Sequence, residues 1–532
     1  EHVLRYDPDN LAAMVRLGEA QNIAFAHGTR VDPRRTLTRA IAISENNSRA
    51  RLALARNYVL SKDYESARSQ YKLLMANDPS SVTAKREYAR AMYWDHRYDE
   101  AFDAYDQVVD TKLAEVAPID PFGDTAEATT SGAGLDYETS LTVATNVQNE
   151  KRAKELKDYR SRQAEDAYRE LISAEPANFE ARFDLAQLYH STGKTAKAIE
   201  QYEEIVRLSP LHREAPMALA QAKVLLNPRV SGGLYSSTAR GREGLYDMDT
   251  TDYMVNYQHP IGDAEEFVGV GYGWRRYAPE GDSALLGSIF HVDARKKIGD
   301  NTAIYANLEL PSWDEDDRFS NRLLYKAGLT HENYSGFRMG AMIFEENVAD
   351  NFRTLQEDIH RRGFRVEASH KANRHLDYGA SAMLADYSDE NTRYEFNAFG
   401  SYLLSFAPKQ LQLLAKADFT SFDEDNDGIV PDPNLGNLNH PYFAPSGYVL
   451  FSAIAEWKHW LNEDYFIGAN EFWYSIGLRA AIDDESKTFQ EFWLGAHYDF
   501  TNWAGIDLRT QALSSSVLDT SSVSAFLTLR WP

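Results

Sequence analysis

Cysteine is missing from all 532 residues, so the chain can build neither a disulfide framework nor a thiolate metal site. That fits an extracytoplasmic protein that folds without redox help. No stretch approaches 18 uninterrupted apolar residues, which rules out a transmembrane helix. Catalytic spacing such as H-E-x-x-H is absent, and no nucleophile–base pair stands out. Paired carboxylates such as Asp483-Asp484 fall in expected loops, without an apolar pocket to raise one pKa. An enzyme is therefore not expected. Basic residues are also in deficit: the formal net charge is −24, the wrong sign for a nucleic-acid binder. Residues 1–228 carry 30 basic and 35 acidic side chains, and residues 229–532 carry 26 and 45. No signal peptide opens the chain. Tyr6-Asp7-Pro8-Asp9-Asn10 reads as the tail of a helical unit, so the sequence is expected to be truncated at its N-terminus.

What is present begins with a change of period. From Arg229 onward apolar and polar residues alternate, giving about sixteen short strands. Val268, Val270, Tyr272 and Trp274 share one face, and Gly269, Gly271, Gly273 and Arg275 share the other. Leu411, Leu413, Ala415, Ala417 and Phe419 alternate with Gln412, Lys416 and Asp418. Phe492, Leu494, Ala496, Tyr498 and Phe500 alternate with Gly495, His497 and Asp499. A transmembrane barrel needs only every second side chain to meet lipid, which reconciles a mean hydropathy of −0.52 with a membrane location. Short linkers (259–266, 298–302, 333–336, 371–376, 406–410, 461–464, 501–505) alternate with longer polar ones (240–250, 311–321, 345–358, 420–447, 481–487). Short turns on one side and long loops on the other is the outer-membrane arrangement. Aromatic content of 12% suits two interfacial girdles.

Before the barrel, small and aromatic residues recur at a spacing of 34. Ala55, Tyr58, Ala67, Tyr71 and Pro79 form one unit; Ala89, Met92, Ala101 and Tyr105 repeat it. Ala186, Tyr189, Gly193, Ala198, Tyr202 and Pro210 form a third. Ala164, Tyr168 and Pro176 fit a degenerate second helix. These positions resemble the tetratricopeptide repeat, where small residues let antiparallel helices approach and the aromatic fills the gap. Residues 1–228 are expected to form such a solenoid, a docking surface for partners. An insert at 114–150, opening on Pro118-Ile119-Asp120-Pro121-Phe122-Gly123, is expected to be a mobile loop. The expected fold class is thus an α-solenoid followed, over 229–532, by a 16-stranded antiparallel transmembrane β-barrel.

The same alternation assigns ten basic residues to the lumen (Arg275, Arg322, Lys326, Arg338, Arg365, Lys416, Lys458, Arg479, Arg509 and Arg530). It also assigns nine acidic ones (Glu309, Glu367, Asp377, Glu395, Asp418, Glu456, Glu471, Asp499 and Asp507). One reading is a wall of mutually paired side chains that holds the barrel's shape. The functional reading is a polar and aromatic track for a polymer, with Tyr305, Glu309, Arg365, Glu367, Glu456, Glu471, Trp473 and Arg509 as candidates. Asp423, Asp425 and Asp427 precede Gly428 as at the start of a calcium loop, but the twelfth position is Asn434 rather than Glu. No cofactor is otherwise expected, and the alternative for this loop is a solvated acidic surface or a cation bridge to lipopolysaccharide.

Repeats, then barrel, then the terminal Leu527, Leu529 and Trp531 resemble the outer-membrane secretins of exopolysaccharide synthase systems, the poly-N-acetylglucosamine porin and the cellulose exporter subunit. Pro441-Tyr442-Phe443-Ala444-Pro445 looks like the Tyr-Phe-x-Pro element before a late strand in those barrels. Pro532 after the terminal aromatic departs from their pattern. The resemblance implies a passive conduit for an exopolysaccharide chain. Its repeats would meet an inner-membrane synthase complex and periplasmic polysaccharide-modifying enzymes, and its last strand the barrel-assembly machinery. Two rivals remain at this point: a general diffusion porin or uptake channel with a docking domain, and a soluble repeat scaffold with a β-sandwich.

Overall fold

The computed structural model describes residues 2–531 except 27–30, 116–131, 210–211, 213, 242–246, 280–282, 315–320, 426–439, 463–469 and 517. Helices come first: α1 (His2–Tyr6), α2 (Leu11–Ala26), α3 (Arg34–Ile43), α4 (Ser48–Leu60), α5 (Tyr64–Asn77) and α6 (Val82–Trp94). Then follow α7 (Tyr98–Glu115), α8 (Gly132–Leu156), α9 (Ser161–Ala174), α10 (Phe179–Ser191), α11 (Thr195–Leu208) and α12 (Ala215–Leu225). By contact the chain forms two compact units. One comprises Glu1–Lys157, Ala164–Asp184 and Ile205–Arg213; the other comprises Asp158–Gln163, Leu185–Glu204 and Glu214–Pro532.

The 34-residue period has a visible cause. At the end of α4 the Asp63 N–H donates to the Tyr58 carbonyl, at the end of α6 Arg97 donates to Met92, and at the end of α10 Lys194 donates to Tyr189. Each bond closes over a residue in the left-handed region: Lys62 and His96 at φ 58°, Gly193 at φ 66°. This is the C-terminal cap that stops one helix and reverses the chain into the next. Side-chain caps start the following helices, with Asp63 accepting from the Ser66 N–H and Ser81 from the Ala84 N–H. Ala55, Ala67, Ala89, Ala101, Ala186 and Ala198 are fully buried, as are Tyr71, Tyr105, Tyr189 and Tyr202; Tyr58 packs half-buried against the same core.

The insert differs from expectation. Residues 132–156 form α8 rather than a loop, while 116–131, including the Pro118–Gly123 segment, lie outside the described residues. Ala144, Val147, Ala153 and Leu156 are buried at helical spacing, a stripe that the surrounding Thr, Asn and Lys obscure in the sequence. This helix also carries a buried ionic network. Glu150 is 1% exposed; it accepts from Arg86 Nε at 2.7 Å, Arg90 Nε at 2.6 Å and the Tyr105 hydroxyl at 2.9 Å. Nearby, Lys154 Nζ meets Asp184 and Glu180.

From Arg229 the chain forms a closed barrel of sixteen antiparallel strands. They are β1 (Arg229–Gly241), β2 (Met248–Pro260), β3 (Phe267–Pro279), β4 (Leu285–Ile298), β5 (Thr302–Trp313), β6 (Leu324–Glu332), β7 (Phe337–Asn347) and β8 (His360–Lys371). The second half comprises β9 (Leu376–Tyr387), β10 (Thr392–Ser405), β11 (Lys409–Phe422), β12 (Ser446–Trp460), β13 (Phe472–Asp483), β14 (Thr488–Thr501), β15 (Ala504–Ser515) and β16 (Leu518–Arg530). Closure pairs β1 with β16 from Arg229↔Arg530 to Gly241↔Leu518, so both barrel termini lie at the end that carries the short turns. One connection departs from expectation: 461–464 was expected as a short turn, but β12 ends at Trp460 and β13 begins only at Phe472. Around the turns of the same unit, Arg374 Nε pairs with Asp158 at 2.7 Å and Lys297 Nζ donates to the Gly193 carbonyl at 2.7 Å.

The helical network makes a pH-dependent prediction. Burial opposes ionisation of Glu150, yet Arg90 and Arg86 outweigh it and bring the carboxyl down to about 2 from an ordinary 4.5. Burial pushes neighbouring Glu180 the other way, which offsets part of the effect. A depressed carboxylate stabilises the fold above its unfolded value, and that stability is lost as pH falls through the folded one. Urea resistance of the 222 nm helical signal is therefore expected to fall between about pH 4.5 and pH 2. Glu150→Gln should cost about 2 kcal/mol at pH 7, because it removes the buried charge that Arg86 and Arg90 share, although Arg86 keeps Glu175 at 2.9 Å and Arg90 keeps Glu180 at 3.0 Å, and it should flatten that pH dependence. A variant as stable as the parent would refute the network's role.

Candidate functional site

The continuous register gives the barrel two chemically distinct faces. Val268, Val270, Tyr272, Trp274, Phe451, Ile476, Leu478, Leu494 and Leu508 are among the large apolar side chains left exposed on the outer face, with Trp274 56% and Phe451 57% exposed. An apolar belt on a closed barrel, with backbone donors and acceptors paired between strands, satisfies the conditions for crossing a bilayer. This is a β-barrel of the outer-membrane kind. TM helices are a separate matter: no helix among the described residues is long and apolar enough to cross a membrane.

All eight candidate lumen residues fall on the inner face or directly at its end. Tyr305 pairs with Gly328, and Glu309 with His291 and Leu324. Arg365 lies between Met342 and Met383, Glu367 between Gly340 and Ser381, and Glu456 between Gln412 and Gly477. Trp473 pairs with Trp460 and His497, Arg509 with Gly495 and Ser524; Glu471 immediately precedes β13. Arg322 likewise stands just before β6 and bonds Asp358 at 3.1 Å.

The register also separates lumen charges into two sets. One set is mutually paired: Arg275 with Asp252 at 2.8 Å, Lys326 and Arg361 with Glu346 at 2.8 and 2.6 Å, Lys416 with Asp418 at 2.7 Å, and Arg479 with Glu491 at 3.3 Å. Arg365 belongs here too, 3.5 Å from Glu395. Among the described residues, the side chains of Glu309, Glu367, Glu456 and Arg509 make no hydrogen bond or ion pair, and neither does the Glu471 carboxylate. Asp252, Glu346, Arg361 and Glu491 were missing from the sequence-derived set, although extending the same alternation to the strand ends would have found them. Trp493 was also missed. It projects inward over Gly477, where a Cβ would stand 1.8 Å from the indole, so glycine is required by close approach.

At the inner end, aromatic and charged side chains meet. Lys458 Nζ lies 3.8 Å from the centroid of Trp473 and 4.5 Å from that of Trp460. His497 stacks on Trp473 with centroids 5.8 Å apart, and its ring nitrogens face Asp507 at 2.7 Å and Asp499 at 3.1 Å. Asp499 in turn accepts the Glu471 backbone N–H at 3.0 Å.

The outer end is shaped by loops that turn inward. The β7–β8 connection, which the sequence marks as one of the longer polar linkers, contains a short helix, α13 (Phe352–Gln356). Its Leu355, with Ala349 and Phe352, packs on the inward-facing Met248, Tyr277, Leu285 and Trp313. The stems of the connection, Val348 and Ile359, pack with inward Phe344, Met383, Tyr387 and Phe422, and with Tyr442 and Ala444 of the Pro441–Pro445 segment. Fully buried Asn351 caps α13 at the Thr354 N–H and donates to the Pro441 carbonyl at 2.6 Å. Tyr442 donates to Asp389 at 2.9 Å; burial, then that carboxylate, hold its phenol well above the usual range, so it remains a donor. His440 meets the same carboxylate at 2.7 Å. Asn351 and Asp389 carried no signal of these contacts, because Pro441 and Tyr442 lie 90 and 53 residues away, and Leu355 meets residues of β2 to β5.

Among the described residues no group of three or more metal-ligating side chains is assembled. Asp423 and Asp425 are exposed; Asp427, Gly428 and Asn434 lie outside the described residues.

The family described as tetratricopeptide repeat matches residues 156–213. A search of curated proteins returns no match. Among solved structures, a bacterial polysaccharide outer-membrane secretin is 14% identical, with 58% of this chain and 99% of that chain covered at a TM-score of 0.44. Wzi, an Escherichia coli outer-membrane protein involved in group 1 capsule assembly and described as a carbohydrate-binding β-barrel, is 11% identical, covering 64% and 92% at 0.31. A tetratricopeptide-repeat protein of Thermus thermophilus is 18% identical, covering 40% and 99% at 0.27. Scores this low carry no weight for function.

The inward-folded mouth yields a prediction. Asn351→Ala removes both a helix cap and the tie to Pro441, loosening the segment by about 1–2 kcal/mol. Single-channel conductance in a planar bilayer should rise relative to the parent. Unchanged conductance would mean that this segment does not narrow the passage.

Proposed function

We propose that the chain is an outer-membrane export conduit for a secreted polysaccharide, with its helical repeats in the periplasm docking the proteins that make and modify the polymer. The observation that carries this reading is the unpaired set on the inner face: Glu309, Glu367, Glu456, Glu471 and Arg509, together with Tyr305 and Trp473. A wall built only to hold shape would pair its charges, as Arg275–Asp252 and Arg361–Glu346 do. Unpaired carboxylates and a guanidinium can instead exchange hydrogen bonds with hydroxyls passing along the lumen, and aromatic rings pack against sugar C–H faces. In this set four carboxylates stand against Arg509, and Lys458 on the same face is a further cation without an ion pair among the described residues, which leaves an acidic excess. That favours a cationic, partly deacetylated glucosamine polymer over neutral cellulose, and disfavours a polyanion. The synthase complex, the modifying enzymes and the barrel-assembly machinery are the partners that this reading expects.

Planar-bilayer conductance titrated with glucosamine and cello-oligosaccharides tests it. Concentration-dependent block is expected, strongest for the glucosamine series. Each of Glu309→Gln, Glu367→Gln and Glu456→Gln should weaken that block roughly two- to fivefold, the scale of a solvent-exposed charge contact. A current indifferent to every glycan would replace this reading with a general diffusion porin.

A further inference from the structure

Lys458 differs from the paired lumen cations and, unlike the equally unpaired Arg509, lies on aromatic rings. Arg275, Lys326, Arg361, Lys416 and Arg479 each hold a carboxylate within 3.3 Å. The Lys458 ammonium makes no ion pair among the described residues; it lies against two indole faces, 3.8 Å from the Trp473 centroid and 4.5 Å from that of Trp460. The two tryptophans face each other across β12 and β13, both on the inner face. His497 backs Trp473 and is itself fixed by Asp499 and Asp507. Glu456 and Glu471, with carboxylates that bond nothing among the described residues, stand two residues before Lys458 and Trp473 respectively, Glu456 on the same face of β12 as Lys458 and Glu471 immediately before β13.

We propose that Trp460 and Trp473 form an aromatic cage for the ammonium group of an amino sugar, and that Lys458 is its resident surrogate. The proposal rests on the export reading and adds a recognition element at the inner end of the barrel. An ammonium group over indole faces is a cation–π contact, strongest for tryptophan and strengthened where water is excluded. A 2-ammonio sugar offers the same charge as Lys458 together with a C–H face that packs on Trp473. It can displace the lysine without leaving the rings uncovered, while Glu456 and Glu471 receive whichever ammonium is expelled. A neutral sugar offers the C–H face alone and so competes poorly with Lys458.

The test uses the full chain in planar bilayers, with glucosamine and cello-oligosaccharides of equal length as blockers. Lys458→Gln empties the cage, so block by the glucosamine series should tighten roughly three- to fivefold, the scale of a partly exposed cation–π contact. Block by the cello series should change by less. Trp473→Ala should weaken glucosamine block, and the tightening should vanish in the Lys458→Gln, Trp473→Ala double variant. Glycan-free conductance of each variant verifies that the barrel has folded and inserted. Tightening that survives without Trp473 would reflect lumen charge alone and overturn the cage. So would a Lys458→Gln variant whose glucosamine block matches the parent. In both cases block of the parent channel leaves export standing. If no glycan blocks even the parent channel, the export reading and the cage fall together.

Discussion

Backbone hydrogen bonding is the constraint on which this molecule depends. A strand in hydrocarbon has no water to satisfy its N–H and C=O groups, and each group left bare costs several kcal/mol. Sixteen strands solve this only by closing, and closure is made where β1 meets β16 in a single uninterrupted register. The sides of every residue follow from that register. Because the period is two, a slip of one residue would move Trp274 and Leu478 into the lumen and Arg275 and Arg479 into lipid.

Closure also sets the chemistry of the interior. Paired strands bring cation and carboxylate side by side on one face, and the resulting pairs brace the wall. Three of the uncommitted charges have a glycine on one side in the register: Glu367 opposite Gly340, Glu456 opposite Gly477, Arg509 opposite Gly495. Glycine thus has two uses inside the barrel. It admits bulky rings such as Trp493, and it leaves some charges without a partner.

Much of this was legible in the sequence. Alternation fixed which residues of β3, β11 and β14 face lipid, and the 34-residue period located α4–α7, α10 and α11. Both signals are local, set by one strand or one helical hairpin. What escaped was either masked by composition or non-local. The buried stripe of α8 hides among Thr, Asn and Lys, and α8 gains its place through Glu150 bonding to arginines 60 or more residues away. The inward fold of the β7–β8 connection depends on Asn351 finding Pro441, which no window of sequence contains.

Apart from α8 and α13, the sequence by itself therefore determined the element types, their order, the strand count and the two faces of the sheet, because periods of 3.6 and 2 are properties of single segments. Only the tertiary structure decided which charges pair and which stay free, which rings surround Lys458, and which loops turn into the mouth. Those outcomes depend on cross-strand register and on contacts between distant segments, and these exist only once the barrel has closed.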